Sequence, residues 1–173
     1  MKVVVGILIF SYFAAQAQQT RYETSRKMYF DGWHGECGAR NLVDTLKNIG
    51  LGDDPVLVAY KGAATTTLAN CSKNPFTKLS VFNNGKDFIE AAVNKAPQNL
   101  EIRFIRFTVQ TNIPALLSYD NTEVDKKFIL EQLTLQPDQV DDYLMNKIIG
   151  YMKDNGNLSE AEHKQVLLLA AER

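Results

Sequence analysis

Three observations predict an all-α chain of stacked antiparallel helical hairpins, with about eight helices. Apolar residues recur at spacings of three and four along almost the whole length, and Pro and Gly fall between the apolar stretches at regular intervals. No segment alternates with period two for long enough to make a strand.

The N-terminus stands apart from that pattern. Met1 and Lys2 precede an apolar run from Val3 to Ala15, followed by the small-x-small stretch Ala15-Gln16-Ala17 and the polar Gln18-Gln19-Thr20. This reads as a secretory signal peptide over residues 1–17, cleaved after Ala17. The run is shorter than the ~20 residues needed to span a bilayer as a helix, and no Cys follows the cleavage point to carry a lipid. Residues 18–173 are therefore expected to form a single domain, periplasmic or secreted, with no membrane anchor.

A first helix is predicted from Thr20 to about Phe30, stopped by Asp31-Gly32. The second begins near Glu36 and places Leu42, Leu46 and Ile49 on one face until Gly50 and Gly52. Asp54-Pro55 reads as N-cap and first helical residue, since proline has no N–H to leave unpaired there. Val56, Tyr60, Ala63, Ala64 and Leu68 form the stripe of this third helix, and its thin side at Gly62-Ala63-Ala64 suits close packing. A longer helix follows from about Pro75 to Lys95, with Leu79, Phe82, Ile89, Ala92 and Val93 inward, Gly85 as a point of close approach and Pro97 as its stop.

Residues 99–111 are almost all apolar apart from Glu101, Arg103, Arg106 and Gln110, so the fifth helix is expected to be buried on more than one face. Pro114 breaks the pattern, and Leu116, Leu117 and Tyr119 pack the connection. Thr122 and Asp125 resemble a weakened capping box for a sixth helix carrying Val124, Phe128, Ile129 and Leu133 inward. Pro137 is expected to open the seventh, with Val140, Tyr143, Leu144, Ile148 and Met152 inward and Asp138, Asp141 and Asp142 at the positive end of its dipole. Asp154-Asn155-Gly156 ends it, and Ser159 with Glu162 forms a capping box for a last helix to about Ala171.

Charge narrows the function. The chain has 19 Lys and Arg against 20 Asp and Glu, and no basic run longer than Lys126-Lys127. No nucleic-acid footprint results, and nothing favours an anionic membrane surface. Cys37 and Cys71 are a candidate disulfide if the second and third helices form a hairpin; two unpaired, partly buried thiols are the alternative.

Trp33-His34-Gly35-Glu36-Cys37 is the one local cluster with a candidate nucleophile and a candidate base, which makes a thiol enzyme the weak alternative to a non-enzymatic chain. The two histidines, His34 and His163, lie far apart without further ligands at metal spacing, so no zinc site is expected. Residues 151–162 place Gly156 and Glu162 as in a calcium loop, but Tyr151 and Lys153 occupy the places that demand acidic oxygen donors. Neither a metal nor another cofactor is implied. The phenylalanines at 76, 82, 88, 104, 107 and 128 recur at helical spacings and read as core.

Arg103 and Arg106 sit inside the apolar run Ile102-Arg-Phe-Ile-Arg-Phe107, where each charge needs compensation. Asp120, Asp125 and Glu90 are the candidate partners. The competing reading is a cationic spot that captures a carboxylate or phosphate, with Tyr60, Lys61, Gln110 and Tyr119 near it.

The stretch Phe88-Ile-Glu-Ala-Ala-Val-Asn-Lys-Ala-Pro-Gln-Asn-Leu-Glu-Ile-Arg103 resembles the junction of two tetratricopeptide repeats, with Ile89, Ala92 and Pro97 at the large, small and turn positions. The linker through Ser72-Lys73-Asn74-Pro75 is longer than that family allows, and no second 34-residue copy can be traced. Val58-Ala-Tyr-Lys-Gly-Ala63 and Glu101-Ile-Arg-Phe-Ile-Arg106, with Gln110, Pro114 and Tyr119, resemble an uncharacterised group of small exported bacterial proteins with such hairpins. That resemblance implies a Gram-negative periplasmic or secreted setting and carries no activity. The leading expectation is a non-enzymatic module that binds another exported protein or peptide; the alternative is a binding protein for a small anionic ligand using Arg103 and Arg106.

Overall fold

The chain folds into eight α-helices among the described residues, with no strand. The computed structural model describes the backbone of residues 2–32, 37–114 and 117–171, with side chains at 16 and from 18 onward within those ranges. The helices are α1 (Lys2–Asp31), α2 (Arg40–Thr45), α3 (Pro55–Leu68), α4 (Pro75–Lys95), α5 (Leu100–Thr111), α6 (Thr122–Leu135), α7 (Asp142–Asn155) and α8 (Glu160–Ala171). Among the described residues, no helix is long and apolar enough to cross a membrane.

Helix α1 begins well before Thr20 and runs unbroken to the expected stop, where the Gly32 N–H bonds the Met28 carbonyl at 3.2 Å. The expected second helix shortens to six residues. Turns flank it at Cys37–Ala39, where Cys37 is bonded to Cys71, and at residues 46–48, where the ladder tightens so that Ile49 N–H reaches the Leu46 carbonyl at 2.9 Å. Leu42, Leu46 and Ile49 are buried all the same, because the apolar spacing survives the change of backbone.

Helices α3 and α4 form the tightest antiparallel pair. Asp54 caps α3 by accepting from Val56 N–H at 2.9 Å, and Asn74 caps α4 by accepting from Phe76 N–H at 2.9 Å, each with a proline at the first turn. Gly62 and Gly85 face each other across the pair. A Cβ on Gly62 would lie 2.7 Å from the Gly85 carbonyl, and one on Gly85 would lie 2.5 Å from the Thr66 nitrogen, so only hydrogen fits at either place.

Helix α5 is the central element. Ile102, Ile105 and Val109 join one apolar cluster with α1 to α4, while Phe104 and Phe107 join a second with α6, α7 and α8. Phe30 touches both clusters and stacks on Phe104 with ring centroids 5.6 Å apart. Each fully buried side chain of this kind contributes about 1.5–3 kcal/mol.

Four local expectations change. Thr122 and Asp125 make no capping box, because Asp125 turns wholly inward to meet Arg103 and Arg106. Pro137 opens a 3₁₀ turn, Pro137–Gln139, and Asp141 caps α7 by accepting from Leu144 N–H at 3.0 Å. Val124 is exposed, since α6 buries Asp125, Ile129 and Leu133 instead. Phe76 and Leu79 stand out from the first turns of α4, 82% and 46% exposed, where core positions were expected. The capping box of α8 has the anticipated form: Ser159 N–H donates to the Glu162 carboxylate at 2.7 Å and Ser159 Oγ accepts from Glu162 N–H at 3.4 Å.

Candidate functional site

An apolar cleft of about 870 Å³ opens where six segments meet: the end of α1, the end of α3, the start of α4, the end of α5, the connection after it and Tyr151 of α7. Phe30, Phe82, Val109, Ile113 and Leu117 supply its oily surface, and Leu79 stands at its edge. Phe76 lies one helical turn before Leu79, so exposed apolar surface continues along the same side of α4.

The polar groups around this cleft are of two kinds. The Tyr29 hydroxyl lies 2.5 Å from Thr108 Oγ1, and the Tyr151 hydroxyl lies 2.6 Å from Thr111 Oγ1 and 2.5 Å from Asn112 Nδ2. These bonds tie α1 and α7 to the end of α5 and fix the shape of the wall. Burial pushes the Tyr29 phenol well above its ordinary range, so it stays protonated. Asn70 and Lys78 are uncommitted by comparison and offer an amide and an amine at the rim. Among the described lining residues there is no carboxylate, imidazole or thiol.

The disulfide borders the same end of the molecule. Cys37 and Cys71 are joined with their Cα atoms 5.4 Å apart, across a sequence separation of 34. Closing such a loop contributes about 3–4 kcal/mol in the chain-entropy account. It also ties the start of α2 to the α3–α4 turn that forms one side of the cleft. Trp33, His34, Gly35 and Glu36, the remainder of the predicted thiol cluster, lie outside the described residues, as does Leu116.

The structure brings Arg103, Arg106 and Tyr119 together, but around carboxylates. Asp125, fully buried on α6, accepts from Arg106 Nε at 2.7 Å and Nη2 at 2.8 Å, and also from Arg103 Nε. Glu90 takes Arg106 Nη1 at 3.1 Å and the Tyr119 hydroxyl at 2.6 Å. Arg103 lies over the Phe128 ring at 4.6 Å, and Arg106 is only 6% exposed. Asp125 and Glu90 are thus two of the three anticipated partners, and Asp120 gives only its carbonyl, to Thr122.

The other predicted site residues lie elsewhere. Tyr60 is buried and donates to Glu101. Lys61 closes the end of the second segment, with its ammonium on the carbonyls of Lys47, at 3.1 Å, and Ile49. Gln110 is buried with neither amide atom hydrogen-bonded. Among the described residues, no group of three or more His, Cys, Asp or Glu side chains is placed to hold a metal.

Sequence reasoning missed a second buried ion pair. Glu101, 4% exposed in the first turn of α5, accepts from Arg26 Nε at 2.8 Å and Nη2 at 2.6 Å and from the hydroxyls of Tyr22 and Tyr60. Arg26 Nη1 continues to Asp141 at 2.6 Å, which links α1 to the start of α7. Against the opposing effect of its partial burial, the Leu144 N–H and Arg26 hold the Asp141 carboxyl below its usual range. The single signal for this network was an acid at the edge of an apolar helix, a place the helix dipole explains equally well.

Compared with known protein families, characterised proteins and solved structures, the chain matches none.

Proposed function

We propose that this chain is an exported, non-enzymatic binding module, and that the apolar cleft seats an apolar segment of another exported protein. The observation that carries the reading is the continuity of the cleft with Leu79 and Phe76, whose exposure is unexplained by the fold. Exposed aromatic and aliphatic side chains beside a concave apolar surface are the usual anchors of protein contacts. Asn70 and Lys78 at the rim would meet the backbone carbonyls and N–H groups of such a segment. The export signal and the tetratricopeptide-like turn at Ala92 and Pro97 support the same setting, with cleavage after Ala17 leaving Gln18 at the head of α1. Cys37, bonded to Cys71, has no free thiol to act as a nucleophile.

The anionic-ligand reading is less well supported, because Arg103 and Arg106 already face Asp125 and Glu90. A ligand there would have to displace a buried carboxylate.

Fluorescence anisotropy with labelled synthetic peptides tests the proposal. Peptides rich in Leu and Phe should bind saturably, and Leu79→Asp should weaken them by about tenfold or more, from the loss of one buried aliphatic contact. Equal binding of an all-polar peptide, or an unchanged affinity in Leu79→Asp, would contradict it.

A further inference from the structure

A second cleft, of about 830 Å³, lies between α1, the α4–α5 turn and the α6–α7 connection, and shares no lining residue with the apolar one. We infer that it binds a neutral, hydroxyl-rich ligand, a short oligosaccharide. Six primary amides line it: Gln19, Gln98, Asn99, Gln132, Gln136 and Gln139. An amide carries both donors and an acceptor on one group, which matches a sugar hydroxyl that donates and accepts at once.

Two of the six are already engaged. Gln19 donates to Glu23 at 2.8 Å, and Asn99 caps α5 by accepting from Ile102 N–H at 3.0 Å. The side chains of Gln98, Gln132, Gln136 and Gln139 make no hydrogen bond to another described residue and are free to meet a ligand.

The floor is rigid where the rim is adaptable. Arg26, Glu101 and Tyr22 hold one another, and Arg26 is tied onward to Asp141, so these groups are fixed before any ligand arrives. The charges around the space are Glu23, Glu101 and Asp141 against Arg26 and Lys27, which gives an anion no net attraction. Among the described lining residues, Leu100, Val140 and Leu144 are the only aliphatic side chains, so an apolar peptide would bury little there. Tyr22 and Tyr143 add phenol rings, and the volume falls within the range of ordinary small-ligand sites.

The test is calorimetric titration of the whole folded chain with neutral tetrasaccharides built from α-glucose, β-glucose, xylose and N-acetylglucosamine, alongside a tetragalacturonate and a Leu-rich peptide. At least one neutral series should saturate at millimolar concentration or below. The double change Gln136→Ala with Gln139→Ala should weaken it about tenfold, the loss expected for two ligand hydrogen bonds, while thermal unfolding stays where it was. Failure of every neutral oligosaccharide to bind, tighter binding of the tetragalacturonate, or an affinity unmoved by the double change would overturn the inference. So would competition between the sugar and the peptide, which would place both in the apolar cleft.

Discussion

Helix α5 carries two buried ion networks in its first two turns, and the two are built in opposite senses. Near its start the helix supplies the acid, Glu101, to an arginine of α1; further along it supplies the cations, Arg103 and Arg106, to an acid of α6. Arg26 keeps a second, half-exposed carboxylate in Asp141, whereas Asp125 is fully buried and serves two guanidiniums at once. The lesson is that the cost of losing a partner depends on what the survivor can still reach, more than on how many bonds are broken.

The largest effect should follow from emptying the shared acid. Asp125→Ala leaves Arg103 without a carboxylate and Arg106 with Glu90 alone, and we expect a loss of about 3–5 kcal/mol in urea unfolding. Glu101→Gln should cost less, about 2 kcal/mol, because Arg26 retains Asp141 and the one remaining amide oxygen still accepts from a phenol. Equal losses would mean that the two networks are energetically alike.

A smaller effect separates them in alkali. Burial first, and then the Glu101 charge, push the phenols of Tyr22 and Tyr60 well above their ordinary range; burial and Glu90 do the same to Tyr119. A group whose folded pKa is raised lends stability that is complete below its unfolded value and is lost as pH rises through the folded one. Stability should therefore hold to about pH 10 and fall above it. Tyr22→Phe with Tyr60→Phe should flatten that alkaline decline more than Tyr119→Phe does, at about 1 kcal/mol of neutral-pH stability per hydroxyl. Denaturant midpoints followed against pH decide this.

What could be read in the sequence divides along the same helix. Arg103 and Arg106 announced themselves because they interrupt an apolar run, and of the acids on neighbouring segments named as candidates, Asp125 and Glu90 are partners and Asp120 is not. Glu101 did not, since an acid in a first helical turn satisfies the dipole locally, and its true partners are 41 to 79 residues away. The eight helices followed from period and punctuation. Their edges did not where two signals compete, as at Pro137 and Asp141, each a valid helix start. The apolar cleft was illegible for a different reason: six distant segments line it, and Phe76 and Leu79 have the same helical spacing as core residues although no described residue covers them.

Methyl-resolved NMR of the folded chain, titrated with a Leu-rich peptide, tests most directly whether the working surface is the apolar cleft or the arginine pair. We expect shifts concentrated at Leu79, Val109, Ile113 and Leu117, with Ile129 and Leu133 beside the Asp125 network unmoved. Shifts centred on Ile129 and Leu133, or none at any methyl, would contradict the assignment of this cleft as the site of binding.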